Sequence, residues 1–170
     1  RQQMRFEGQA AMELEFALDG INSIEHYSVS IDQQHSLLVL DWAKMIHGIL
    51  HDVAASVPIG EISAKFHNTL AETVVSVAKQ VRCERVALSG GCFQNRYLTG
   101  RAVNRLRAEG FQPYWHQRVP TNDGGIALGQ VVAARRASHA KVATDAKELQ
   151  TDQPSLRALR PSRAEGELCV

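Results

Sequence analysis

The chain has 170 residues, 44% of them apolar and 22% charged, which suits one domain of ordinary size with a real core. Nineteen Lys and Arg against eighteen Asp and Glu leave a net charge of +1, and aromatic residues make up 6%. Neither a basic surface nor a stacking platform for nucleic acid or an anionic membrane follows from such numbers. Cys83, Cys92 and Cys169 share no close spacing, so neither a structural zinc site nor a disulfide framework is expected, and a cytoplasmic setting is. No apolar run reaches bilayer length and no secretory signal is present. The chain opens on Arg1 with a helical pattern close behind, and is expected to begin inside a longer protein.

In chain order, Gly8 to Leu18 (GQAAMELEFAL) predicts a helix stopped at Asp19-Gly20. Tyr27, Val29 and Ile31 alternate with polar residues, and Leu37 to Leu40 follows: two strands joined around Asp32-Gln33-Gln34. Asp41 can cap a helix from Trp42 to about Ala55, ended by Pro58. A long helix is predicted from about Gly60 to Val81, with Ile62, Phe66, Leu70, Val74, Val75 and Ala78 along one stripe. Arg85 to Leu88 is a short strand entering Ser89-Gly90-Gly91. A helix then runs from about Gln94 to Ala108, closed by Gly110, before a strand from Phe111 to His116 and a loop from Pro120 to Gly125. The last helix is expected from Gly125 to about Arg136. Residues 137–170 are polar and poor in large apolar side chains, and read as a flexible or weakly helical tail. The order of elements indicates an α/β architecture.

The segment Leu88 to Arg96 (LSGGCFQNR) has the strongest chemical content. Glycines after a strand let a ligand approach the backbone, and a helix beginning there presents free N–H groups to an anion, with Gln94 and Asn95 at the edge. Spacing alone leaves a ligand-free strand-to-helix turn equally open. In Val119 to Gly125 (VPTNDGG), Asp123 reads either as a ligand for a metal or phosphate site or as a helix N-cap, and the cap is the simpler reading. His47 and His51 stand four apart on the predicted Trp42–Ala55 helix but lack a third ligand. With Trp42, Met45, Ile46, Ile49 and Leu50 around them, that helix reads as packing. His67 reads as a satisfied helical histidine, and Cys92 as a small buried residue rather than a nucleophile.

Three segments, Glu7 to Glu15 (EGQAAMELE), Ala87 to Asn95 (ALSGGCFQN) and Val119 to Gln130 (VPTNDGGIALGQ), resemble in order and spacing the C-terminal part of the HypF family, the carbamoyltransferases of [NiFe]-hydrogenase maturation. The resemblance covers roughly Arg5 to Ala134. It implies the C-terminal lobe of an actin/sugar-kinase/Hsp70-like fold of Kae1 type over residues 1–136, with the tail 137–170 outside it. It further implies that Gly90 and Gly91 lie against the phosphates of ATP with Asn95 close by, and that Gly8 and Glu13 border the ribose. Asp123 matches the aspartate that completes a site for a transition metal, zinc or iron, with two histidines of an upstream HxxxH motif. That motif is not in this sequence, and His47 and His51 occupy the wrong place in the order to replace it.

The implied reaction uses ATP with Mg²⁺ and carbamoyl phosphate to form carbamoyl adenylate, then passes the carbamoyl group to the C-terminal cysteine of an acceptor protein, HypE. The partners expected by resemblance are therefore carbamoyl phosphate, a HypE-like protein and an N-terminal lobe absent from this chain. Two alternatives stand beside this: a truncated nucleotide-binding or protein-interaction module without activity of its own, and an antibiotic O-carbamoyltransferase of the same superfamily. The wording of EGQAAMELE and GGCFQN favours the hydrogenase-maturation family.

Overall fold

The computed structural model describes residues 3–35 and 37–151. It divides into two units, one ending at Gly125 and one beginning at Ile126. The first unit contains α1 (Gln9–Phe16), β1 (Ser30–Gln34), β2 (Leu37–Asp41), α2 (Ala43–Ala54), α3 (Ile59–Val81), β3 (Arg85–Leu88), α4 (Arg96–Ala108) and β4 (Gln112–Trp115). Short 3₁₀ turns cover Gly91–Gln94 and Asp123–Gly125. The α/β reading holds.

Strands β3 and β4 pair in parallel, Arg85 opposite Gln112 through Leu88 opposite Trp115. Parallel neighbours need a crossover, and α4 supplies it. The core lies where α3 and α4 pack: Ala71, Val75 and Ala78 of α3 meet Leu98, Ala102, Val103 and Leu106 of α4, with Leu88 of β3 beneath them. Alanines on the facing helices let the two backbones approach, while Leu106 and Val75 fill the space between. On its rim, Arg105 holds Glu72 through two hydrogen bonds of 2.6 and 2.9 Å. The guanidinium keeps the Glu72 carboxyl below the usual glutamate range.

The buried face of α3 is broader and more polar than the apolar stripe predicted. Ser63, His67, Asn68 and Thr69 are buried, whereas Ile62, Phe66, Leu70 and Val74 are only half-buried. The cause is that α3 receives main chain from the segments preceding it. Asn68 Nδ2 donates to the carbonyls of Ser23 and Glu25 at 2.9 Å each. Thr69 Oγ1 accepts from the Tyr27 amide at 2.8 Å. Buried backbone groups outside regular structure need partners, and these side chains provide them. The Tyr27 hydroxyl donates to Asp52 at 2.9 Å, and burial together with that carboxylate pushes the phenol far above its ordinary range.

The hairpin turns later than its sequence suggests. Asp32, Gln33 and Gln34 belong to β1, paired with Val39, Leu38 and Leu37, and His35, with φ 57°, begins the turn. Tyr27 lies outside the strand, because its amide is taken by α3. The N-cap of α2 is Trp42, without a side-chain cap bond, and Asp41 just before it accepts from the Ala43 amide at 2.9 Å. The reading of α2 as a packing helix holds on one side only: Met45 is buried and Ile49 half-buried, while Trp42, Ile46, Leu50 and Val53 are exposed.

In the second unit a single helix, α5 (Ile126–Thr151), runs 15 residues past the predicted end at Arg136. The predicted boundary at 136/137 therefore falls inside a helix. The flexible tail read for the remaining stretch, 152–170, lies outside the described residues.

Candidate functional site

Strand β3 delivers the chain to the glycine turn. Leu88 is buried, Ser89 follows, and Gly90 adopts φ 102°, a conformation that a side chain resists. The Gly90 amide donates to the Thr121 carbonyl at 3.0 Å, which ties this turn to the 120–125 loop. Gly91 is different. Its φ is ordinary, and a Cβ built there would meet nothing within 4 Å. Neither backbone geometry nor packing among the described residues asks for glycine at 91.

The helix does not begin at Gln94, as the sequence suggested. Gly91–Gln94 forms a 3₁₀ turn, and α4 starts at Arg96 with Asn95 as its N-cap. This overturns one expectation: the first N–H groups of α4 are not free for an anion. Asn95 Oδ1 accepts from the Leu98 amide at 2.8 Å. Glu15 Oε1, reaching across from α1, accepts from the amides of Arg96 at 2.7 Å and Tyr97 at 3.2 Å. A carboxylate at a helix N-terminus satisfies both its orphan donors and its dipole. The amides open to a ligand are those of the turn itself: Gly91 and Cys92 donate to no group outside the turn among the described residues.

Beneath the turn lies His67, 3% exposed. Its Nδ1 is 2.8 Å from the Ser63 carbonyl, and its Nε2 is 2.9 Å from Asn95 Nδ2. The rings of Phe66 and Tyr97 meet it edge-on at 5.5 and 5.7 Å between centroids. His67 was legible as a satisfied histidine; its contact with Asn95, 28 residues away, was not. Glu15 belongs to the EGQAAMELE segment, but a cap supplied from 81 residues away leaves no local pattern.

A cleft of about 630 Å³ opens between α1, α3 and the glycine turn, lined among others by Gly8, His67, Gly91, Cys92 and Asn95. Of the predicted site residues, then, Gly8, Gly91 and Asn95 line one cleft. Glu13 and Gly90 do not line the cleft: Glu13 accepts from Gln9 Nε2 at 3.0 Å along α1, and Gly90 faces the 120–125 loop. Cys92 is exposed, against the expectation of a buried thiol, because the 3₁₀ turn holds it outside the core.

Asp123 is exposed on the loop joined to Gly90 through Thr121. Its neighbour Asn122 folds onto the short 3₁₀ turn, its Oδ1 accepting from the Gly124 amide at 3.1 Å. Asp123 is a hard oxygen donor of the kind divalent ions take, but it is a single ligand. Among the described residues no cluster of three or more His, Cys, Asp or Glu side chains exists that would hold a metal ion. His47 and His51 are both exposed, and His51 lies 3.6 Å from Asp52 rather than beside a third ligand. No helix among the described residues is long and apolar enough to cross a membrane.

The family described as "Carbamoyltransferase, Kae1-like Domain, second subdomain" matches residues 1–130, most of the chain and all three motifs. The chain belongs to the HypF carbamoyltransferase family. It is 36% identical over 135 residues to carbamoyltransferase HypF of Synechocystis sp., covering 79% of this chain and 17% of that protein. HypF of Rhizobium leguminosarum bv. viciae is 36% identical over 137 residues, with 77% and 17% covered. A full-length HypF crystal structure in a phosphate- and nucleotide-bound form superposes with a TM-score of 0.75 at 40% identity, over 81% of this chain and 18% of that one. The HypF of T. kodakarensis, at 23% identity and a TM-score of 0.61 over 75% of this chain, shares the fold. The chain thus spans about a sixth of the HypF proteins it matches.

Proposed function

We propose that this chain supplies the C-terminal wall of a nucleotide cleft in an ATP-dependent carbamoyltransferase of [NiFe]-hydrogenase maturation, the rest of the cleft coming from a further lobe. The observation that carries this reading is that Gly8, Gly91 and Asn95, from two separate motifs, line one cleft of about 630 Å³. Glycine at 91 has no use within the described residues, and close approach of a ligand gives it one. That a HypF relative is known with nucleotide bound supports the same assignment.

In this reading the amides of Gly91 and Cys92 donate to phosphate oxygens, and Gly8 leaves room for the sugar. Glu13, off the cleft wall, acts through Gln9 of α1 rather than on the sugar directly. Gly90 joins the phosphate turn to the loop of Asp123, which presents its carboxylate to Mg²⁺ or to a zinc or iron ion completed by ligands from the other lobe. A bound cation there would offset phosphate charge. Carbamoyl phosphate is hydrolysed to carbamate and inorganic phosphate. A carbamate oxygen then attacks the α-phosphorus of ATP, forming carbamoyl adenylate as pyrophosphate leaves. The C-terminal thiolate of a HypE-like acceptor then attacks the carbamoyl carbon and releases AMP. This chain's contribution is to hold and orient the phosphates, not to exchange protons with them. A cytoplasmic location suits this chemistry.

The test is carbamoyl-phosphate-dependent exchange of labelled pyrophosphate into ATP by the complete protein carrying this chain. Exchange that falls at least tenfold on Gly91→Val supports the reading. Exchange unaffected by that change removes the turn from the phosphate site. A second reading, a nucleotide-binding or interaction module without its own activity, draws on the chain's 17% share of its relatives. It is favoured if MgATP binds and no exchange occurs with the remaining lobes supplied.

A further inference from the structure

The buried polar atoms around Asn95 fix one another's roles. The Leu98 amide only donates, so the atom of Asn95 that faces it at 2.8 Å is Oδ1. Nδ2, a donor, therefore faces His67 Nε2 at 2.9 Å, and that nitrogen must offer a lone pair. The ring proton then sits on Nδ1, where the Ser63 carbonyl accepts it at 2.8 Å. The Ser63 hydroxyl is itself committed to the Leu14 carbonyl at 2.5 Å, so it does not compete as a donor to Nδ1. A relay results, from the Ser63 carbonyl of α3 through the His67 ring to the cap of α4, while the Ser63 hydroxyl ties the same turn of α3 to the main chain of α1. Every polar atom of His67 is used, and the ring is 3% exposed.

We propose that His67 is a positioning residue for the ligand-facing turn: as a neutral Nδ1–H imidazole it locks the Asn95 carboxamide, and Asn95 in turn sets the end of the Gly91–Gln94 turn. The link from Asn95 to the turn is direct, since its amide donates to the Cys92 carbonyl at 3.2 Å and its side chain anchors the helix that follows. A flipped Asn95 would set its carbonyl against Nε2 and its amide against the Leu98 N–H. Both contacts would be lost together, so the pair has one stable arrangement. A hydrophobic side chain in place of His67 would fill the volume but leave Asn95 Nδ2 without its partner, and the turn would lose its fixed geometry. The inference rests on reading the turn as the ligand-facing one.

The experiment is NMR on the ¹⁵N-labelled 170-residue chain. Long-range ¹H–¹⁵N correlations of the wild type are expected to show His67 with a protonated Nδ1 and an unprotonated Nε2, an observation that needs no variant. Equal tautomers or a protonated Nε2 overturns the proposal. In variants that keep the wild-type dispersion of amide signals, His67→Leu and Asn95→Ala should move the Gly91 and Cys92 amides in the same pattern. The double variant should move them no further, because one residue acts through the other. His67→Gln, whose Oε1 can accept from Asn95, should return them towards wild type. Gly91 and Cys92 amides unmoved by His67→Leu, or moved equally by Leu and Gln, also overturn it. MgATP added to the wild type reads the nucleotide assignment separately. Shifts absent from the turn in a mixture with the remaining lobes would remove the nucleotide while the tautomer result stands on its own.

Discussion

Helices α2 and α3 follow one another in the chain and carry three of its seven histidines, yet they use them in opposite ways. On α2, His47 and His51 keep the four-residue spacing of metal ligands but stand in solvent, beside the exposed Ile46 and Leu50. On α3, His67 meets Ser63 one turn earlier, and it is enclosed and joined to a residue 28 positions away. Spacing within one helix records which residues share a face. What that face meets depends on the segments packed against it, and only α3 is covered from two sides, by the chain before β1 and by α4.

The sharpest way to test this contrast is truncation on each face. Leu106→Ala, at the fully buried contact of α4 with α3, should cost about 2–5 kcal/mol in urea unfolding. Leu50→Ala on the outer face of α2, where the side chain is 59% exposed, should stay within about 0.5 kcal/mol. Similar losses at the two positions would mean that the outer face is covered in solution.

His67→Leu comes next. Removing a buried acceptor strands Asn95 Nδ2, a loss of about 1–3 kcal/mol that is expected in thermal or urea unfolding of the chain. No loss would mean the relay is not formed.

A smaller effect separates the rim of the core from its centre. Arg105 depresses the folded-state carboxyl of Glu72 below its unfolded value. The associated stability is complete above the ordinary glutamate range, about 4.3, and is lost as pH falls through the lower folded value. Glu72→Gln should therefore remove about 1 kcal/mol at pH 7 and little once acid has protonated the wild-type carboxyl, measured by unfolding across pH. A difference that grows with acidity would contradict the sign. The smallest effect is expected for His47→Ala with His51→Ala: within about 0.5 kcal/mol, and no melting-temperature shift that depends on those histidines when zinc is added.

Much of this architecture was readable from local pattern. The 3.6-residue periodicity of α3 and α4, the strand before the double glycine and the glycine at 110, which takes φ 85°, each act within a few residues. The hairpin joint and the polar face of α3 were not readable, because both depend on Tyr27 giving its amide to Thr69, 42 residues on. The site divides the same way. Gly8, Gly91 and Asn95 were found through motifs and do share a cleft, while the closed N-terminus of α4 depends on Glu15 arriving from α1. The end of α5 was not readable for a simpler reason: the sequence past Arg136 has no apolar periodicity to mark a helix, and helix-forming residues alone leave a weakly helical or a flexible stretch open.

The central claim, that the Gly90–Asn95 turn forms part of a nucleotide cleft, is tested most directly by calorimetric titration of MgATP into this chain together with the remaining lobes of its carbamoyltransferase. The account predicts saturable binding in the mixture that Gly91→Val abolishes, since a branched side chain would occupy the open space over the turn. Binding of equal strength in wild type and Gly91→Val, or none in a folded mixture, would contradict it.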